Sequence, residues 1–215
     1  MTAVRLAYSA YGPAGAPVVV MGGSLGSTRA MWQPQVDALA RTFRVVRYDA
    51  RGHGESPVPP GPYEIADLVD DVVALLDNLA VARAHFVGLS LGGMTALLAA
   101  ATHPDRVDRV AVMGTSAQLG PPSAWAERAA AVRAGGTASI ATTVAERWFT
   151  PAHRAADPAV LEWARAMIAA TPDEGYIACC GALERMDLRD DLPRITAPLL
   201  AIAARDDPAT PTPHL

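Results

Sequence analysis

The segment 84–94, AHFVGLSLGGM, constrains the fold more than any other part of the chain. An apolar run ends there in Gly-x-Ser-x-Gly and continues with a helical pattern, which is typical of a nucleophile elbow, a sharp turn from a strand into a helix. Gly88 and Gly92 suit such a turn because larger side chains would collide with neighbouring backbone. Ser90 would be exposed at this turn. Because a serine hydroxyl is a weak nucleophile, catalysis would also require a histidine base, an acid that orients it and an oxyanion hole, all from other parts of the chain. The alternative is a Gly/Ser turn before an ordinary helix, because the five-residue motif is common.

The composition describes a globular protein and excludes two classes of partner. With 51% hydrophobic residues, 19% charged residues and a net charge of −4, the chain lacks the clustered basic excess of a nucleic-acid binder. It also lacks an apolar run of the length that a membrane span needs, and residues 1–10 do not resemble a signal peptide, so a cytoplasmic protein without membrane or nucleic-acid partners is predicted. Cys179 and Cys180 are adjacent in a helical pattern and are predicted to be small buried hydrophobic residues.

Strand and helix patterns alternate through the first half of the chain, which predicts an α/β fold with a doubly wound, mostly parallel sheet. Four helical patterns then follow one another at 123–133, 139–148, 158–170 and 173–186 with no strand between them. We interpret them as a helical cap inserted at 119–192, between a core at 1–118 and its continuation at 193–215. The predicted strands are residues 4–8, 17–21, 43–48, 107–113 and 198–204, with a further strand in the apolar run that ends at the Gly-x-Ser-x-Gly motif. The predicted core helices are 33–39, 65–79 and the helix that follows this motif and continues through 95–102.

Two polar loops follow predicted strands, where a parallel sheet carries its functional loops. The glycine-rich loop 22–27 has little side-chain bulk, so its backbone N–H groups can point at a bound oxygen, which makes it the candidate oxyanion loop. The loop 49–56, DARGHGES, contains His53. Because His53 precedes Ser90 in the chain and lies among many hydrogen-bonding groups, a structural role is favoured over a catalytic one.

The orienting acid is expected just after the last predicted strand, since this architecture uses the order serine, acid, histidine. Asp206 and Asp207 both lie there. After them only His214 remains, and no intervening strand or helix would bring it back over Ser90, so the sequence does not favour it as the general base.

The chain resembles the α/β-hydrolases and, within them, the 3-oxoadipate enol-lactonases. The resemblance runs through SLGSTRAMWQPQ, RYDARGHGES, HFVGLSLGGM, HPDRV and ARDDPATP, in which the RGHG and elbow motifs mark only the wider family. The narrower resemblance is carried by the cap segments GPPSAWAERAAAVRAGG, ERWFTP, ATPDEGY and ALERMDLRDDLPRI. The resemblance implies that Ser90 is the nucleophile and Asp207 the triad acid, with Asp206 as runner-up. It also implies oxyanion donors on the backbone N–H groups of Ser24 and Leu91.

The resemblance further implies hydrolysis of 3-oxoadipate enol-lactone through an acyl-enzyme, in aromatic catabolism, without a metal or organic cofactor. Its catalytic histidine lies on a loop after a further strand that this chain does not contain, so the chain is expected to be truncated. An anionic small-molecule lactone needs a local cation, for which Arg133 is the candidate. Trp125, Trp148, Trp163 and Met186 are the candidates for the inner face of the cap, with packing of the cap core as the alternative for each. Of these four, Trp125 is assigned to substrate binding. The alternatives are another cap-bearing esterase or thioesterase, and an inactive binding protein; the oligomeric state is left open.

Overall fold

The structure is a computed structural model that describes residues 2–212. Its strands are β1 (Tyr8–Tyr11), β2 (Val18–Gly22), β3 (Arg44–Tyr48), β4 (Ala84–Leu89), β5 (Val107–Met113) and β6 (Leu199–Ile202). Its α-helices are α1 (Gln33–Leu39), α2 (Ile65–Asn78), α3 (Leu91–Thr102), α4 (Pro122–Glu146), α5 (Pro151–Ala156), α6 (Pro158–Ala169) and α7 (Asp173–Arg185). None of the helices within 2–212 is both long and apolar enough to cross a membrane.

The six strands form one sheet in the order β1-β3-β2-β4-β5-β6. Only β1 runs antiparallel to its neighbour; the other pairs are parallel. Strand β2 shows how both faces are covered: Val18 and Val20 belong to the core cluster that contains α2 and α3, whereas Val19 and Met21 pack with Trp32 and the residues around α1. The predicted doubly wound, mostly parallel sheet is therefore confirmed.

Both ends of the sheet differ from the sequence prediction. The first strand is Tyr8–Tyr11, not 4–8, because the apolar residues of that segment pack elsewhere: Leu6 is buried in the core and the Val4 N–H donates to Asp71 Oδ1 at 2.7 Å. Strand β6 was predicted to be buried, and this was wrong. It pairs with β5 alone among the described residues, and Leu200 is 57% exposed because it lies at the sheet edge.

The four helices α4–α7 lie between β5 and β6 in the chain and pack on one another, with a small core of their own that includes Ala141, Ala164 and Ile168. We call residues 122–185 the helical cap. The two predicted helices at 123–133 and 139–148 are one run, α4, kinked at Gly136, whose φ of 72° lies outside the helical range. The six-residue helix α5 was not predicted.

The cap is held against the loops at the carboxyl edge of the sheet. The Thr28 N–H lies 3.0 Å from the Met167 sulfur of α6. Gly52 packs directly on Gly175 of α7, so closely that a Cβ on either would clash with the backbone of the other. This close approach places the cap over the ends of β2 and β3, beside Ser90.

Candidate active site

Ser90 lies between the end of β4 and the start of α3 with φ 53° and ψ −114°, a backbone conformation that non-glycine residues rarely adopt. Neighbouring contacts hold this conformation: the Ser90 N–H donates to the Met113 carbonyl at 3.0 Å, and the Thr115 hydroxyl donates to the Ser90 carbonyl at 2.8 Å. A Cβ at Gly88 would collide with the Gly92 carbonyl. The turn therefore has the sharp, over-determined geometry of a nucleophile elbow.

The loop 22–27 lies directly against this elbow. The Gly92 N–H donates to the Gly23 carbonyl at 2.9 Å, which joins the loop to the first turn of α3. Within 2–212, neither the Ser24 N–H nor the Leu91 N–H donates to a protein acceptor. The Ser24 carbonyl, in contrast, is fixed by the Ser27 N–H at 3.0 Å and the Ser27 hydroxyl at 2.7 Å. Two free donors on a fixed backbone beside a serine can bind an oxyanion.

Ser90 opens into a cavity of about 430 Å³ that also contains Ser24, Asp206 and Asp207. Its apolar wall comes partly from the core, through Met31 and Leu89, and partly from the cap. The cap side chains in this wall are Trp148, Phe149 and Trp163, with Thr150 and Arg147 beside them. The loop after β6 therefore places Asp206 and Asp207 in the wall of the same cavity as Ser90.

Asp207 and Asp206 have different environments. Asp207 Oδ1 accepts the N–H groups of Ala209 and Thr210 at 2.8 and 3.0 Å, and Oδ2 accepts the Thr210 hydroxyl at 2.8 Å. Burial alone would raise the pKa of Asp207, but these hydrogen bonds and the nearby charge of Arg147 outweigh it and hold that pKa below its usual value. Asp206 is exposed. Asp207 is therefore an ionised carboxylate in a fixed orientation.

No histidine within 2–212 lines this cavity. His53 is fully buried, with Nε2 accepting the Gly26 N–H at 2.9 Å and Nδ1 lying 3.1 Å from the Arg51 carbonyl. Both ring nitrogens are occupied, so His53 cannot take a proton from Ser90 in this arrangement. The other candidate base, His214, lies outside the described residues.

The two residues proposed from the sequence for substrate binding lie in other places. Arg133 lines a separate groove between α4 and α7 with Arg185 and Asp173. Trp125 lines a cavity of about 150 Å³, and its Nε1–H donates to the Leu119 carbonyl at 2.7 Å. Both cap residues therefore lie outside the wall of the Ser90 cavity.

The cation that lines the Ser90 cavity from the cap is Arg147, which the sequence analysis missed. Arg147 Nη2 lies 3.4 Å from the Pro208 carbonyl, next to Asp207, so the guanidinium is held beside the acid loop. The signal was present in the sequence: Arg147 directly precedes Trp148 in the ERWFTP segment. Only the folded cap shows that this end of α4 faces the serine.

Comparison with known proteins agrees with this geometry. The family model for the alpha/beta hydrolase fold matches residues 16–214. The 3-oxoadipate enol-lactonase 2 of Acinetobacter baylyi is 42% identical over 207 residues, covering 96% of this chain and 78% of that protein. The "Putative carbamate hydrolase RutD" of Variovorax paradoxus is 36% identical over 212 residues, covering 96% of this chain and 80% of that protein.

Among solved structures, the enol-lactonase from Burkholderia xenovorans LB400 is similar, with a TM-score of 0.95 and 43% identity over 97% of this chain and 81% of that chain. The similarity includes the parallel sheet, the elbow and the helices α4–α7, since almost the whole chain is covered. With the family match extending from residue 16, just before β2, to residue 214, the chain belongs to the α/β-hydrolase fold family.

Proposed function

We propose that this chain is an ester and lactone hydrolase whose substrate is 3-oxoadipate enol-lactone, with Ser90 as the nucleophile. The observation that carries the proposal is the position of Ser90, a strained serine at a strand-to-helix turn that is open to a cavity of about 430 Å³. Beside it are two backbone N–H groups that have no acceptor among residues 2–212. The similarity to enol-lactonases over nearly the whole chain supports the choice of substrate.

In the proposed reaction Ser90 Oγ attacks the lactone carbonyl carbon as a base removes its proton. The N–H groups of Ser24 and Leu91 stabilise the oxyanion that forms, each donor contributing about 3 kcal/mol in well-studied acyl-transfer enzymes. The acyl C–O bond of the ring then breaks and its electron pair leaves on the enolate oxygen. The enolate becomes the ketone by taking up a proton at its α-carbon, and water hydrolyses the acyl-enzyme. Asp207 is the acid that would orient the imidazole of a histidine base.

Arg147 supports an anionic substrate. The cavity wall on the cap side is mainly apolar, with Trp148, Phe149 and Trp163, so the carboxylate of a lactone acid would be poorly solvated there without a cation. A guanidinium can donate two parallel hydrogen bonds to such a carboxylate. We therefore propose Arg147, in place of Arg133, as the cation that binds the carboxylate of the substrate.

The test is hydrolysis of purified 3-oxoadipate enol-lactone by the chain and by Ser90→Ala, together with labelling by a fluorophosphonate. A fluorophosphonate reacts with an activated serine by forming an O–P bond and releasing fluoride. We expect labelling at Ser90 and loss of turnover in Ser90→Ala, with at most about a thousandth of the activity remaining. A His214→Gln variant tests the histidine outside the described residues. Equal turnover by Ser90→Ala would refute the nucleophile assignment.

The relatives that bear the RutD name suggest a carbamate as a second candidate substrate, because they match this chain over nearly the same length. Carbamate and enol-lactone carbonyls need the same nucleophile and oxyanion hole but differ in the leaving group. A panel of enol-lactone, a small carbamate and an aryl ester separates the candidates. A higher kcat/KM for the carbamate than for the enol-lactone would show that the substrate is a carbamate, and the protein would still be a hydrolase.

A further inference from the structure

We propose that His53 is a positioning residue: its neutral imidazole accepts the Gly26 N–H and thereby holds the loop 22–27 in the conformation that presents the Ser24 N–H to the substrate oxygen. This inference rests on the hydrolase function proposed above. It gives a role to the one histidine of the polar loop 49–56 that the reaction itself does not use.

The hydrogen bonds define which nitrogen of His53 carries the proton. A backbone N–H can only donate, so Nε2, 2.9 Å from the Gly26 nitrogen, must be unprotonated. A carbonyl can only accept, so Nδ1, 3.1 Å from the Arg51 oxygen, must carry the hydrogen. The ring is fully buried and neutral, in the Nδ1–H tautomer. A second proton would leave two donors, Nε2–H and the Gly26 N–H, facing each other.

Gly26 lies close to the oxyanion donor along the backbone of the loop. Gly26 has a φ of 80°, and Ser27 after it fixes the Ser24 carbonyl with both its N–H and its hydroxyl. The other side of Gly26 packs against the Tyr176 and Ile168 side chains of the cap. A loop so rich in glycine has little conformational preference of its own. The bond to His53 and the packing of the cap therefore select its conformation.

Burial outweighs the one nearby charge that favours a positive His53, the carboxylate of Asp49. Asp49 is a nearby carboxylate, but it already accepts the Arg29 N–H at 2.6 Å and pairs with the Arg29 guanidinium. Arg51, on the same loop, adds a positive charge and is paired with Asp71 at 2.6 Å. On α7, Cys179 faces the same Arg51 carbonyl, 4.0 Å away, and burial keeps its thiol neutral by raising its pKa.

The consequence is a dependence of turnover on the neutral state of His53. Burial holds the pKa of His53 below its usual value, although the hydrogen bond to Arg51 and the charge of Asp49 act in the opposite direction. When His53 is protonated or replaced by a side chain without an acceptor, the Gly26 N–H loses its partner and the loop 22–27 is released. The oxyanion donor is then misplaced, which lowers kcat more than it changes KM.

The test compares His53→Leu, which has no acceptor, with His53→Gln, whose side-chain oxygen can reach the position of Nε2. His103→Leu, at the far end of α3, is the matched control. The probe is 4-nitrophenyl acetate. Because removal of one oxyanion donor costs about 10²–10³ in kcat, we expect a loss of about 10- to 100-fold in His53→Leu with KM nearly unchanged. We expect His53→Gln to recover most of that loss and His103→Leu to behave as the parent.

A spectroscopic measurement keeps the test decisive if a variant folds poorly. In the unmodified protein labelled with ¹⁵N-histidine, two-bond ¹H–¹⁵N spectra should show His53 neutral with the proton on Nδ1, and the Gly26 amide should shift in His53→Leu more than in His53→Gln. The opposite tautomer, or an unchanged kcat in His53→Leu, would overturn the proposal. Absence of ester turnover in the parent, with the Nδ1–H tautomer in place, would instead refute the hydrolase function and support the loop contact.

Discussion

Adjacent carboxylates at 206 and 207 have unequal roles in the proposed reaction. Asp207 is oriented by three hydrogen bonds from Ala209 and Thr210, whereas Asp206 is exposed. We expect Asp207→Asn to lower kcat for the enol-lactone by about 10⁴, because an amide in place of the proposed triad acid would not hold a histidine base in the correct tautomer. Asp206→Asn should leave kcat close to the parent value.

The two asparagine substitutions preserve shape, so their effects are separable from unfolding. In Asp207→Asn the side-chain amide oxygen can still accept the Ala209 and Thr210 N–H groups, and the urea midpoint should change little. Both variants are compared with the parent by steady-state kinetics and urea titration. A larger loss of kcat in Asp206→Asn than in Asp207→Asn would show that Asp206, and not Asp207, orients the base.

The position of Arg147 leads to a second prediction at a single side chain. We expect Arg147→Gln to raise KM for the anionic enol-lactone by about 10- to 100-fold, since a charged hydrogen bond contributes about 1.5–3 kcal/mol. KM for neutral 4-nitrophenyl acetate should stay close to the parent value. Arg133→Gln is the matched control, because Arg133 lies in the separate groove between α4 and α7. Equal effects of the two variants would show that Arg147 does not bind the carboxylate.

The turn between β4 and α3 depends on its two glycines. A Cβ at Gly92 would lie inside the van der Waals radius of the Gly22 backbone, which cannot move without breaking its pairing with Gly88 of β4. We expect Gly92→Ala to lower the free energy of unfolding by about 1–3 kcal/mol or more, the cost of overpacking a closed site. Urea titration measures it.

Gly15 supplies the control for that variant. It is exposed, its φ is not positive, and a Cβ there would meet nothing within 4 Å. Gly15→Ala should therefore be neutral or stabilising by up to about 1 kcal/mol, because alanine restricts the unfolded chain. If both variants lost a similar amount of stability, the close contact between Gly92 and the Gly22 backbone would not explain the need for glycine at position 92.

Elements with a strong local signal were predictable from the sequence. Helix α1 and strand β5 were predicted with the bounds that the structure has, because Pro34 at the start of one and the apolar run of the other are local signals. The elbow was predictable for the same reason: its two glycines and its serine lie within five consecutive residues, 88–92. Strand β1 was misplaced because burial of Leu6 in the core and pairing with β3 are decided by residues far away in the chain.

The cap shows where sequence reasoning stops. Gly136 kinks α4, but the helix continues on both sides of it. The direction of the kink determines which face of the second half packs towards the core. The sequence therefore gives no local signal that separates Arg147, which was not considered, from the predicted Arg133, although the two line different cavities. The choice between them depends on how α4 packs on α6 and α7, a long-range property that no local pattern encodes.

For the molecule as a whole, the Ser90 cavity is formed by the cap and the core together. The Gly52–Gly175 contact and the Thr28–Met167 contact fix the cap over the carboxyl edge of the sheet. The same region of the core carries the proposed oxyanion donor and its support, His53. Substitutions that loosen the cap should therefore lower turnover even when they lie outside the cavity wall.

The β6 end of the sheet has an exposed apolar edge. Strand β6 pairs with β5 alone within the described residues, and Leu199, Leu200 and Ile202 are 46%, 57% and 46% exposed. An open edge with apolar side chains offers unpaired N–H and C=O groups to a second chain, which favours association. We expect the 215-residue chain to self-associate with increasing concentration in size-exclusion chromatography with light scattering.

Leu200→Lys should shift that equilibrium towards the monomer, because a charge on an edge strand opposes edge-to-edge pairing. Leu192→Lys is the matched control: Leu192 is 38% exposed but precedes β6 in a short 3₁₀ turn, away from the pairing edge. The two variants have the same change in charge, so a general effect of solubility would be equal in both. If the parent stayed monomeric at every concentration, or if both variants reduced association equally, β6 would not be the surface responsible.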